Sequence, residues 1–287
     1  MIFQDNQIKI ISVNDAAAKA KAVRFDKGSP SPELFGLQHK TLEDIKLNSG
    51  QLLNYYPGKE GLIELKQAIG KIELRVNKRD VRPEQITVTN GCISGIFFTL
   101  GMLCKLGDAV VLNNLAFEGF SSIIRMLGLK EVRVDYDKPV ELEQQIRTHK
   151  PKIMIINTPE NPSGRIYSAG KLKALAAVAS KYGLQVISDE VNNENVYRGF
   201  SYTPPCSFFD PELLISVNSV SKNYFLPGLR VGWVIAGVKF AGKLQNAVQV
   251  SQVAVSGIVQ GMAAFVINNF GDQAKQFRSV LQQKHDK

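Results

Sequence analysis

Between residues 219 and 233 the chain reads SVSKNYFLPGLRVGW, and its polar residues are of types that handle charge. Lys222 closes the β-rich run LLISVNS. A lysine at the end of a buried strand loses solvation, which lowers its pKa and makes the amine a usable nucleophile. A lysine reaching out to water is the plainer alternative. Arg230 offers a forked donor suited to phosphate, and Ser219 a hydroxyl beside it. Three other short runs end in chemically useful residues. ITVT leads into Asn90-Gly91-Cys92, where a glycine and the free N–H groups of a helix start would attract an anion, or would simply make a turn. KIMIINT leads into PENPSG, whose two prolines and glycine fix the backbone around Asn161 and aim its side chain. QVIS ends in Asp189-Glu190, and an acid closing a buried strand is costly unless paired; a helix cap or a surface end is the other reading.

Such residues converge only if their runs are neighbouring strands of one sheet. From residue 86 the pattern alternates: ITVTN, DAVVLNN, EVRVDY, KIMIINT and QVISDE read as strands, and the segments between them as helices. LLISVNS and RVGWVIA follow one another with no helix between, so one of them should run antiparallel. The expected fold is α/β, a mostly parallel, mixed sheet sandwiched by helices. In such sheets ligands sit at the carboxyl ends of the strands. An anion cradle, an aimed amide, a buried acid, a lysine and an arginine would then share one edge. A phosphorylated aromatic aldehyde would use them all.

Bulk properties narrow the field. The 287 residues carry a formal charge of +9, but the basic residues are scattered. Their densest knot, Lys78-Arg79 with Arg75 and Arg82, reads as a solvated helix end or loop, and no aromatic-basic motif speaks for nucleic acid. Three separated cysteines suggest neither a disulfide framework nor a zinc site. The first residues, MIFQDNQIKI, lack the apolar core of a signal peptide, and the uncharged stretches are too polar for a membrane span, so a cytoplasmic protein is expected. No GxxxxGK[ST] or GxGxxG nucleotide loop occurs.

Taken together these motifs resemble the class I/II aminotransferases, the aspartate aminotransferase-like group of fold type I that uses pyridoxal 5'-phosphate. The resemblance runs from about Gly28 to beyond Trp233 and rests on SVSKNYFLPGLRVGW, on PENPSG beside the family's P-x-N-P-T-G, on ISDEV, and on YPGKEGLIELK at 56–66. It implies that Lys222 forms a Schiff base with the cofactor and moves a proton during catalysis. Asp189 would keep the ring nitrogen protonated, Asn161 would bond the ring oxygen, and Phe117 would stack on the ring. Gly91, Cys92, Ser219 and Arg230 would hold the phosphate. Tyr56 would reach the phosphate in a neighbouring subunit, implying a homodimer with a shared site. Gly28 and Asn161 would lie near the substrate, an amino acid or 2-oxo acid.

Two departures from the pattern stand out. The family's tyrosine three positions after the aspartate is Asn192 here, which keeps open a lyase, decarboxylase or oxidase with the same cofactor. Family members also continue into a C-terminal small domain that carries an arginine for the substrate carboxylate. The expected organisation is therefore residues 1–40 as an N-terminal arm or part of the small domain, and 41–287 as a large cofactor domain ending in an interdomain helix. A truncated chain that binds cofactor with little turnover is the second alternative.

Overall fold

The protein was analysed as a computed structural model that describes residues 19, 20, 54 and 56–286. Among the elements of the described residues, helix α1 (Ile63–Ile72) is taken first. Then come β1 (Ile86–Thr89), α2 (Gly91–Leu103), β2 (Ala109–Asn113), α3 (Glu118–Met126), β3 (Lys130–Val134), α4 (Pro139–His149), β4 (Ile153–Asn157), α5 (Ala169–Tyr182) and β5 (Gln185–Asp189). The chain continues through β6 (Leu214–Ser219), the one-turn helix α6 (Val220–Asn223), β7 (Gly232–Ile235), α7 (Val238–Gln252), α8 (Gly257–Asn269) and α9 (Gly271–His285). The expected alternation is present, and the strands form one sheet in the order β1-β7-β6-β5-β4-β2-β3. β7 is the antiparallel member, paired with β1 on one side and β6 on the other.

The sequence explains why the sheet is covered on both faces. β2 and β4 are buried along their whole length, as AVVLN and IMIIN, the mark of parallel strands with helices above and below. Alternate residues feed two cores. Val111, Met154 and Val186 pack with Leu142, Ile146 and Leu172 of α4 and α5. Val110, Leu112, Ile155, Ile187 and Ile215 pack with Ile96, Ile124 and Leu244 of α2, α3 and α7. A third core joins α1, α8 and α9 to Val88, Trp233 and Ile235. Each fully buried Leu or Ile stabilises these cores by about 1.5–3 kcal/mol. Helix ends follow local chemistry: the Ser168 side chain accepts from Lys171 N to start α5, and Gly183 ends it at φ +62°.

One member of the basic knot differs from expectation. Arg75, Lys78 and Arg82 are exposed, but Arg79 turns inward: its Nη2 pairs with Glu73 Oε2 at 2.7 Å, and Glu73 is 1% exposed. Glu190, also buried, stands beside the same group through Asn77, whose Nδ2 donates to both carboxylates. Two buried acids need a cation, and Arg79 is its source. Arg75 likewise grips Glu194 with two bonds, at 2.8 and 3.0 Å.

Candidate active site

Strand register brings the candidate residues to one edge. Asn157 pairs with Asp189, and Asp189 with Val217, two positions before Ser219. Thr89 and Ser219 both lie opposite Gly232. The ends of β1, β4, β5 and β6 therefore present Gly91, Asn157, Asp189 and Ser219 to Lys222 side by side.

The anion cradle depends on two glycines. A β-carbon on Gly232 would lie 2.5 Å from Gly91 C and 2.6 Å from Cys92 N, so the first turn of α2 packs directly on β7. Gly91, at φ +78°, meets the guanidinium from the other side: a β-carbon there would lie 2.5 Å from Arg230 Nη2. Arg230 itself has φ +54°, and its Nη1 donates to Pro227 O at 3.0 Å, so the Pro-Gly turn folds it back onto the cradle. Ser219 Oγ accepts from Ser221 N at 3.3 Å, which leaves its O–H proton to donate elsewhere. Free helix N–H groups, a hydroxyl and a guanidinium make a site for a dianion. Asn90 is excluded from it, because its Nδ2 donates to Gln252 Oε1 at 2.7 Å.

Beside the cradle lie the acid and the amine. Asp189 is 4% exposed, and its Oδ1 accepts from Val191 N at 3.0 Å. Burial pushes its pKa up to about 7; the Val191 N–H opposes this and the charge of Glu190 adds to it. Asp189 takes part in no ion pair among the described residues. The half-buried Lys222 has its pKa lowered, chiefly by desolvation and further by Arg230, with Cys92 opposing. Cys92 is pushed up to about 12, by burial first and by Asp189 second, so it remains a thiol and contributes backbone rather than a nucleophile. A buried acid without its own cation, an amine of lowered basicity and a dianion cradle fit pyridoxal 5'-phosphate. Its ring nitrogen would bring the missing cation and its phosphate the dianion.

Asn161 is held by residues that motif reading did not single out. Asn157 Oδ1 accepts from Asn161 N at 2.7 Å, and Asn157 Nδ2 donates to Asp189 O at 3.0 Å. Glu160, 3% exposed, accepts from Tyr167 Oη at 2.9 Å and also from Asn113 Nδ2 and Ser163 Oγ. The Thr158-Pro159 and Asn161-Pro162 bonds are cis. The only sequence signals for these roles were an asparagine ending IMIIN and an acid enclosed in PENP.

The remaining expected residues make contacts of their own. Phe117 follows β2, and its ring lies over Gly119 and edge-on to Phe120, with centroids 5.6 Å apart. Asn192 Oδ1 accepts from Asn195 Nδ2 at 3.4 Å along its own turn. Tyr56 is 83% exposed. Gly28 and the 1–40 segment lie outside the described residues, apart from positions 19 and 20. Among the described residues no cluster of His, Cys, Asp and Glu could hold a metal, and no helix is long and apolar enough to cross a membrane.

Comparison with known proteins agrees with this chemistry. The family model described as aminotransferase class I and II matches residues 24–287. The chain is 31% identical over 205 residues to a (5-formylfuran-3-yl)methyl phosphate transaminase of Methanocaldococcus jannaschii, covering 70% of this chain and 54% of that protein. It is 27% identical to a probable aspartate/prephenate aminotransferase of Aquifex aeolicus, covering 80% of this chain and 61% of that one. It thus spans less than two thirds of the length of these curated relatives. Among solved structures, N-succinyldiaminopimelate aminotransferase from Mycobacterium tuberculosis superposes with a TM-score of 0.83 at 24% identity, over 97% of this chain and 74% of that one, which establishes a common fold.

Proposed function

Because the chain belongs to the class I and II aminotransferases, we propose that it moves an amino group between an amino acid and a 2-oxo acid, with Lys222 as the amine that holds pyridoxal 5'-phosphate covalently. The observation that carries this reading is the buried Asp189, without an ion-pair partner among the described residues, beside a lysine of lowered pKa and a dianion cradle. When bound, the cofactor supplies an aldehyde for the amine and a ring that takes up the electron pair left at the substrate Cα.

The chain's own residues do the rest. The Gly91 and Cys92 N–H groups, the Ser219 hydroxyl and Arg230 hold the phosphate. Asp189 keeps the ring nitrogen charged; the new cation brings its own pKa back down. Asn161, steadied through Asn157 and Glu160, donates to the ring oxygen, and Asn192 offers a second amide in place of a phenol. Phe117 closes over the ring. Lys222 Nζ is the base that takes the Cα proton and returns it, a task for which its lowered pKa suits it. We assign the protein to the cytoplasm as a homodimer, with Tyr56 completing the phosphate site of the other subunit.

The test is an absorbance spectrum of the purified protein with the cofactor, before and after addition of a mixture of amino acids, alongside Lys222→Ala. A visible band that requires Lys222, is lost on adding amino acid, and is accompanied by the matching 2-oxo acid is the expected result. A band that persists while ammonia or carbon dioxide is released would replace transamination with elimination or decarboxylation. No Lys222-dependent band would remove the cofactor assignment.

A further inference from the structure

Lys222 sits on α6, a single helical turn, and so short a helix does not hold its own shape. Ser219 caps its start, its Oγ accepting from Ser221 N. Its last residue, Asn223, is 2% exposed and engages four groups. Asn223 Oδ1 accepts from Glu194 N at 3.2 Å. Its Nδ2 donates to Asn193 Oδ1 at 2.8 Å and to Asn218 Oδ1 at 3.4 Å. Its backbone oxygen accepts from Arg278 Nη1 at 3.0 Å. Each partner leads to a different part of the site. Asn193 belongs to the turn that follows Asp189. Asn218 Oδ1 also accepts from Ser219 N at 2.8 Å, at the cradle. Arg278 comes from α9 and pairs at 3.5 Å with Glu194, which Arg75 holds as well.

Only a primary amide fits this position. One side chain must accept from a backbone N–H and donate to two carbonyl oxygens, all away from water, and Asn or Gln alone offers both functions. Gln is a methylene too long for a residue so fully enclosed. We infer that Asn223 is the positioning residue of Lys222, and that Arg278 fixes it from the far side by holding its carbonyl. The inference rests on the reading of Lys222 as the cofactor-bearing amine. Loss of Asn223 would let the α6 turn rotate, and the amine would leave the half-buried place beside the cradle that lowers its basicity.

The test reads the lysine itself, in the cofactor-free full chain. Lys222 is acetylated competitively with acetic anhydride over a pH series and quantified by mass spectrometry. Cys92 and Arg230 are the titratable and charged groups that face the amine. Lys66 is the internal reference, being 4% exposed with Nζ donating to Pro83 O at 3.0 Å. Asn223→Ala should move the labelling midpoint of Lys222 up toward that of an ordinary lysine, with Lys66 unmoved. Arg278→Met should do the same to a lesser degree, and Arg278→Lys, which keeps a donor for the Asn223 carbonyl, should restore the original profile. In the loaded enzyme kcat should fall by about tenfold to a hundredfold with KM little altered. An unchanged Lys222 profile in Asn223→Ala, or Lys222 and Lys66 moving together, would overturn the inference in favour of a purely structural role. If Asn223→Ala does not fold, Arg278→Met against Arg278→Lys decides by the same criterion. A wild-type chain that takes up no cofactor would strike the function, not this linkage, since the labelling is done without it.

Discussion

Asp189 must be an anion for its proposed role, in a place that disfavours anions. In the cofactor-free protein burial lifts its pKa from 3.8 to about 7. The folded chain then keeps a proton that the unfolded chain releases above about pH 4. Between those values the folded state binds more protons, so stability falls as pH rises, and the full penalty is present above the folded pKa. Asp189→Asn removes the charge while keeping the shape. At about pH 8 the cofactor-free variant should be more stable than the parent by about 1–3 kcal/mol, with the gap closing as pH falls toward about 4. Urea unfolding across a pH series measures this, and a gap independent of pH would show that another group carries the charge. The same variant should lose at least about a hundredfold in turnover, since a ring nitrogen without a counter-anion is a weak electron sink. Stability gained together with activity lost is the signature of a group placed for chemistry rather than for folding.

At the scale of elements, the cradle is a packing problem between β7 and the start of α2. A β-carbon at Gly232 would strike backbone atoms of Gly91 and Cys92, which cannot turn away as a side chain could. Gly232→Ala should push the α2 terminus off Arg230 and weaken binding of pyridoxal 5'-phosphate by at least about tenfold. Gly101→Ala is the control: it lies in the same helix, and a β-carbon there meets only Leu127 Cδ2 at 3.8 Å. Equal affinity in Gly232→Ala and the parent by fluorescence titration would refute the packing argument. This contact also marks how far the sequence could be read. Parallel strands collect their polar ends at one edge, so Asp189, Ser219, Lys222 and Arg230 were legible from strand runs and local spacing. The part played by Gly232 was not, because it arises from the pairing of β1 with β7 across more than half the chain. Glu160 escaped for the same reason: its partner Asn113 is 47 positions away, and only the folded sheet brings β2 and β4 together. Asn223 escaped because an asparagine beside a lysine carries no pattern until three separate segments converge on it. Arg79 was read as solvated because one of the two acids that draw it inward, Glu190, is brought near it only by the fold.

At the scale of the whole molecule, Tyr56 stands exposed a few residues before a segment that is packed on the core. Close to it in sequence, Gly61 at φ +79° packs against Val88, and Leu62 N donates at 2.8 Å to Oε1 of the buried Gln260. The tyrosine itself is 83% exposed. An exposed aromatic phenol suits a role at a surface that another subunit covers. If two copies share their sites, Lys222→Ala and Tyr56→Ala should complement each other. In a mixed dimer one site takes Lys222 from the second variant and Tyr56 from the first and is whole; the other site lacks both. Equal mixing after reversible dissociation makes half the dimers mixed, so the sample should recover about a quarter of the parental activity. The assay is run at a cofactor concentration too low for the Tyr56→Ala homodimer to use. If Tyr56 served only its own chain, no combination would assemble an intact site, and the mixture would show no more than the sum of its parts. A size measurement on the same samples separates that result from a failure to form dimers, which would leave Tyr56 without a phosphate to reach.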